Sequence, residues 1–253
     1  MTPPMTPPIT QGEDRIAQLY DAYNGRAFDR CVSMLADDVI WPNEAEDGEL
    51  QGREAVRAYF TDITASVRAH YDLISLHTEP DGRVCALCRQ TIRSAADGSL
   101  WSSTRILHRY TLRNGKVARL ESEQDVHAAA FPGVARLLER LHAAINAGDI
   151  EAVVACYAPT ARFIDPLEGG EIRGLSGVRA HFEQLFETVR LKLVVLGHAL
   201  QPDDRIRTRV QVETRGPGGG LWQDDTITVW YRLERGLIAE QVVDDSGRDG
   251  NGP

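Results

Sequence analysis

A nine-residue stretch, Gly52-Arg-Glu-Ala-Val-Arg-Ala-Tyr-Phe60, returns 122 positions later as Gly174-Leu-Ser-Gly-Val-Arg-Ala-His-Phe182. Asn24 and Asn146 keep the same spacing. Leu100-Trp101 and Leu221-Trp222, Tyr110 and Tyr231, and Gly115 and Gly236 repeat at 121. A nearly constant offset along the whole chain means that one unit has been duplicated. The unit is a normal domain size, and the spacing places the copies at residues 9–127 and 131–247. The seam around Phe131-Pro132-Gly133 is short, which predicts that the halves pack as an intrachain pseudo-dimer, with a monomer or a homodimer as the assembly. Residues 1–8 are Thr/Pro-rich and read as extended, and residues 246–253 read as a frayed tail.

Within each unit, helical periodicity comes first and strand composition second. Ile16, Leu19, Tyr20 and Tyr23 stripe one helix, Cys31, Met34 and Leu35 a short second, and Val56, Tyr59, Phe60 and Ile63 a third. Leu138, Leu141 and Ile145, then Val153, Val154 and Tyr157, then Val178, Phe182, Leu185 and Val189 repeat the series. After that, 191–196, 206–214, 226–233 and 237–243 are rich in β-branched and aromatic residues and are separated by turn chemistry. Helices followed by a run of antiparallel strands is an α+β pattern. It predicts two tandem cone-shaped barrels, each a curved sheet wrapped over a long helix.

The chain has 28 Lys and Arg against 37 Asp and Glu, a formal net charge of −9. Phosphate backbones need a cationic footprint, so nucleic acid is not an expected partner. No apolar run reaches the length of a membrane span and the N-terminal residues carry no secretion pattern, so the expected address is the cytoplasm, away from membranes. Four cysteines are too few for a disulfide scaffold. Cys85 and Cys88 stand three apart on a strand-like segment, hence on opposite faces, and read as buried thiols. The glycine run 216–220 precedes no helix, and no spaced Cys/His set is present; neither a metal nor an organic cofactor is expected.

The stretch Ala147-Gly-Asp-Ile-Glu-Ala-Val-Val-Ala-Cys-Tyr-Ala-Pro-Thr-Ala-Arg-Phe-Ile-Asp-Pro166 is similar to the steroid isomerase pattern of the nuclear transport factor 2-like superfamily. Ile40-Trp-Pro-Asn43 with Gly52-Arg-Glu-Ala-Val56 resembles its SnoaL-like and limonene-epoxide-hydrolase branch. The resemblance implies the cone fold throughout and a proton-shuttling aspartate at Asp165. Phe163 shares a strand face with Asp165 and carries it toward an apolar pocket, where desolvation raises a carboxyl pKa; a turn-capping aspartate satisfies the same pattern. The isomerase's oxyanion-binding tyrosine falls on Leu141 and its partner acid near Val229, so that hole is absent. Tyr157 matches a tyrosine of the pattern and reads as core or as ligand contact. Arg209, Gln211 and Glu213 share the strand face opposite Val210 and Val212 and read as solvated; the epoxide-hydrolase resemblance implies the opposite, because the branch's active Arg and Asp align with Gln211 and Glu213, and Asp225 could reach the pocket mouth.

In the first half, Asn43 stands where the second has Asp165, Arg89 matches the branch's Arg, and Thr91 and Ser122 replace its acids. His108 takes the place of the isomerase's second acid, two strand positions from Tyr110, as acid, base or satisfied core residue. The acidic run Glu44, Glu46, Asp47 and Glu49 reads as a solvated loop or a cation or partner site. The expected pockets are therefore unequal: Trp41, Asn43, Arg89 and His108 in one, Phe163, Asp165 and Glu213 in the other. The expected function is acid–base catalysis on an apolar polycyclic or polyketide-like molecule, by isomerisation, cyclisation, dehydration or epoxide opening. Tandem fusions of this kind resemble those of natural-product pathways. A ligand-binding scaffold without catalysis is the alternative.

Overall fold

The structure, a computed structural model, describes residues 10–44, 46, 48–124, 132–165 and 170–244, with the backbone alone for Asp165. The expected loose ends, most of the seam and Asp47 lie outside these residues. The chain divides into two compact units, Met1–His127 and Ala128–Pro253.

In the first unit, α1 (Gln11–Asn24) and α2 (Phe28–Ser33) lead into β1 (Leu35–Asn43) and β2 (Gly48–Gln51). The helix α3 (Arg53–Ser66) precedes four long strands, β3 (Val67–Thr78), β4 (Val84–Ser94), β5 (Leu100–Arg113) and β6 (Lys116–Gln124). The sheet order is β2-β1-β6-β5-β4-β3. The second unit repeats every element: α4 (Pro132–Ala147), α5 (Ile150–Val154), β7 (Tyr157–Asp165), β8 (Gly170–Arg173), α6 (Gly174–Thr188), β9 (Arg190–Leu200), β10 (Arg205–Arg215), β11 (Leu221–Glu234) and β12 (Leu237–Asp244). Its order, β8-β7-β12-β11-β10-β9, is the same. Each unit is an α+β cone, and the two cones stand in tandem. Among the described residues, no helix is long and apolar enough to cross a membrane.

The sheets are mixed where a purely antiparallel run was expected. β1 pairs parallel with β6, and β7 with β12. The hairpin run of each unit ends beside its first strand, pointing the same way, and periodicity along single strands carries no sign of that closure. Tyr157 and Leu35 are likewise strand residues rather than helix residues. The sheet captures both: Leu35 registers with Val117, and Tyr157 with Ile238.

The repeated sequence landmarks hold corresponding joints. Gly52 and Gly174 both have positive φ, 83° and 69°, where α3 and α6 begin. A Cβ at Gly52 would stand 3.3 Å from the Asp37 carbonyl oxygen, and glycine adopts this backbone without strain. Asn24 ends α1 and clamps β3, donating from Nδ2 to the Tyr71 carbonyl at 2.8 Å and accepting from the Tyr71 N–H at 3.0 Å. Asn146 clamps β9 in the same way through Leu193, at 3.0 and 2.6 Å. The start of α1 is fixed by a capping box: the Glu13 N–H donates to Thr10 Oγ1 at 3.1 Å and the Thr10 N–H to Glu13 Oε2 at 3.0 Å.

The first core packs Ile16, Leu19, Val32, Leu35, Val39, Val56, Phe60 and Val117 between helices and sheet. Cys85 and Cys88 are both buried free thiols.

Candidate functional site

The amphipathic stripe of α1 turns Leu19, Tyr20 and Tyr23 toward the sheet. Trp41 on β1, Phe60 and Ile63 on α3, and Gln90, Ile92, His108 and Tyr110 on β4 and β5 face them. Between these groups lies a cavity of about 70 Å³ that opens to solvent. Its walls are mostly apolar and aromatic, with Tyr23 edge-on to Phe60 and Tyr71 at ring distances of 5.4 and 5.3 Å.

The polar groups gather at one place. Tyr20 Oη lies 2.6 Å from His108 Nδ1. Tyr110 Oη donates to Tyr20 Oη at 3.0 Å, and Cys88 Sγ donates to it at 3.3 Å. Gln90 Nε2 donates to Tyr71 Oη at 2.9 Å. Burial pushes the phenols of Tyr20, Tyr71 and Tyr110 well above the ordinary range, so each stays protonated. Burial pushes the His108 imidazole down to about 4, so it is neutral near pH 7. Tyr110 Oη also lies 3.3 Å from His108 Nδ1. A neutral imidazole offers one N–H donor and one acceptor nitrogen. The chain Tyr110–Tyr20–His108 thus sets an uncharged imidazole, bonded through Nδ1, at the cavity wall.

Two of the four residues expected in this pocket, Trp41 and His108, line it; Asn43 and Arg89 do not. Asn43 ends β1 and donates from Nδ2 to Glu46 Oε2 at 3.3 Å; the neighbouring Glu44 takes the lining position. Arg89 is excluded by strand parity. Gln90 and Ile92 face the cavity, so Arg89 points to the other face of β4, where its Nη1 donates to Ser103 Oγ at 3.4 Å.

In the second unit, Phe163 is buried and meets His181 edge-on at 4.8 Å. Asp165 ends β7, opposite Gly170, and its side chain lies outside the described residues. Tyr157 is a core residue whose Oη donates to Gln241 Oε1 at 2.5 Å. Glu213 does not join a pocket: Ile206, Thr208 and Val210 are the buried set of β10, and Glu213 has the opposite parity. It is ion-paired with Arg215 and with Lys192, the latter at 3.5 Å, and these cations hold its carboxyl below the usual range. Asp225 registers with Val212 and alternates with Val229, which puts it on the inner face, half-buried, where it accepts from the Gln223 amide.

The reading from sequence missed Tyr20, Tyr71, Gln90 and Tyr110 as site residues, and had Glu44 only within an acidic run. Tyr20 was visible only as part of a helix stripe, and Tyr110 as a repeat marker and a strand neighbour of His108. The usable signal was the polar pair His108 and Tyr110, two apart on one strand face, opposite a helix stripe that itself contains tyrosines.

A ligand-type trio also stands outside the cavity. His77, Glu79 and Cys85 bring one ligand atom each within 4.8 Å of one another. Glu79 is committed to guanidinium groups, Arg83 at 3.2 Å and Arg109 at 3.9 Å, and burial with the Glu79 contact pushes the Cys85 thiol up to about 12. Two adjacent arginines and a protonated thiol suit a cation poorly.

Fold and site together define a class: α+β cones that enclose a small cavity between a curved sheet and its helices. The chain belongs to the SnoaL-like domain family, whose pattern matches residues 16–120 and again 138–241. Solved structures resemble one half at a time. A proposed polyketide cyclase from Xanthomonas campestris pv. campestris is 19% identical with a TM-score of 0.41, covering 44% of this chain and 88% of its own. An NTF2-like protein of unknown function from Burkholderia pseudomallei K96243 is 16% identical with a TM-score of 0.41, covering 46% and 92%. TerC, co-crystallised with polyporic acid, is 17% identical with a TM-score of 0.41, covering 46% and 92%. A search of the curated proteins gives no significant match.

Proposed function

We propose that the first unit is the catalytic half, and that it performs acid–base chemistry with its own side chains on an apolar, ring-bearing small molecule. The observation that carries this reading is the Tyr110–Tyr20–His108 chain at the wall of a mostly apolar cavity. A neutral imidazole N–H there can donate to a carbonyl, epoxide or hydroxyl oxygen. As negative charge develops on that oxygen, a preorganised donor in a dry site strengthens. Isomerisation, ring closure, dehydration and epoxide opening all develop charge in this way, and a proton lost from carbon passes to solvent at the open mouth. A polyketide-like substrate and a role in natural-product synthesis accord with the family. The second unit favours binding without catalysis, because the positions equivalent to Tyr71, Gln90 and His108 hold Leu193, Val212 and Val229.

The test needs no identified product. Bicyclic and tricyclic ketones are incubated in D2O, and exchange at the carbon beside the carbonyl is followed by NMR. The wild-type protein should accelerate exchange, and His108→Gln should cut the rate by about 10²-fold, with Asp165→Asn and Asn43→Asp near wild type. Loss in Asp165→Asn alone moves the chemistry to the second unit. Binding without exchange leaves the scaffold reading.

A further inference from the structure

The charge of the cavity wall is one-sided. Among the described residues that line it, Glu44 is the single formally charged one, and no Lys or Arg is present. Five of the chain's seven tyrosines, Tyr20, Tyr23, Tyr59, Tyr71 and Tyr110, share the wall with Trp41. Glu44 is held over this wall. Its Oε1 accepts from Ser122 Oγ at 3.1 Å, and Ser122 registers directly opposite His108 on the neighbouring strand, so the two side chains share a face. The carboxylate adds to burial in pushing the Tyr59 phenol up to about 12.

We infer that the ligand of this cavity carries a cationic amine, seated between Glu44 and the aromatic faces of Tyr23, Tyr59 and Trp41, with its apolar rings toward the inner wall. The inference rests on the reading that the cavity is the ligand site. A ligand that closes the mouth strips water from Glu44, and an unpaired carboxylate is costly to desolvate. An ammonium removes that cost by pairing and is attracted to the ring faces as well. A carboxylate ligand meets no cation and stands beside a like charge. A neutral ligand gains the apolar contacts only.

The equivalent positions show that this charge pattern is particular to the first unit. Glu44, Tyr59 and Trp41 are replaced by Pro166, His181 and Phe163 at the 122 offset.

Three matched probes test the inference: 2-naphthylmethylamine, 2-naphthylmethanol and 2-naphthoate, titrated into the full chain by calorimetry at pH 7. The amine should bind at least about tenfold more tightly than the alcohol, and the carboxylate should be weakest. Glu44→Gln should bring amine and alcohol together, whereas Glu46→Gln on the same exposed loop should leave the preference intact, which separates a seated ammonium from general attraction to an acidic protein. Equal binding of amine and alcohol overturns the inference and leaves the cavity as a ligand site. A preference that survives Glu44→Gln or is abolished by Glu46→Gln also overturns it. If neither amine nor alcohol binds, the reading of the cavity fails with it.

Discussion

The two units share a frame and differ in what they line it with. Gly52 and Gly174, Asn24 and Asn146, and Tyr110 and Tyr231 occupy matching joints. Yet, Tyr110 apart, the hydrogen-bonding wall of the first unit has no counterpart. Tyr20 becomes His142, Tyr71 becomes Leu193, Gln90 becomes Val212 and His108 becomes Val229. The second unit keeps one polar pair in its core, Tyr157 with Gln241, at other positions of the same fold. Duplication therefore preserved the residues that set backbone geometry and interior residues such as Phe60 and Tyr110, and released most of the polar groups of the cavity wall. Joints tolerate little substitution because a positive φ or a buried backbone group leaves few alternatives. Interior positions accept any residue whose volume and hydrogen bonds are satisfied.

Acid should expose what the units have in common most strongly. His108 and His142 are both buried and both pushed down to about 4 by burial. An unfolded chain binds their protons at the ordinary value near 6.5, so between about 6.5 and 4 the unfolded state holds more protons. Stability contributed by each neutral histidine is present above that window and is lost as pH falls through it, about 3 kcal/mol apiece in full. Melting curves at pH 7 and pH 5 should show a steep loss for the wild type. His108→Gln and His142→Leu should each flatten it, and the double variant most. A double variant as acid-sensitive as the wild type would remove both histidines from the account.

The clamps should split the units by a smaller margin. Asn24→Ala leaves the Tyr71 N–H and carbonyl without their partner in a half-buried place, at a cost of about 2 kcal/mol. Asn146 is exposed, water can replace it, and Asn146→Ala should cost about 1 kcal/mol. Chemical denaturation of the two single variants checks the order, and a costlier Asn146→Ala would reverse it.

The smallest effect is expected at the first helix. Thr10→Ala removes the capping hydrogen bond to the Glu13 N–H, worth about 1 kcal/mol. Hydrogen exchange should speed up in the first turn of α1 and stay unchanged in α4, which begins at Pro132. Faster exchange in both helices would mean that α1 and α4 open as one unit.

Much of the fold was legible in the chain because its causes are local. The 122 offset exposed the duplication, the Tyr20 and Tyr59 stripes marked helices, and β-branched runs marked strands. Cys85 and Cys88 could be assigned to a buried strand for the same reason. Strand parity was readable only as a choice of two. Which face of β4 meets α1 depends on packing against another element, so Arg89 was expected in the pocket and Glu213 was left open to either face, while the buried sets beside both point the other way. The swap of Asn43 for Glu44 has a similar origin, since the end of a strand sets which of two neighbours turns inward.

The sequence alone determined that this protein is two copies of one α+β unit with unequal interiors, because repeats and periodicities are properties of the chain itself. Tertiary structure decided where the polar chemistry gathers. Tyr20, Cys88, His108 and Tyr110 come from a helix and two strands, and Tyr20 and Tyr110 are 90 residues apart. Their protonation states follow from burial and from one another, and both exist only once the sheet has closed over α1.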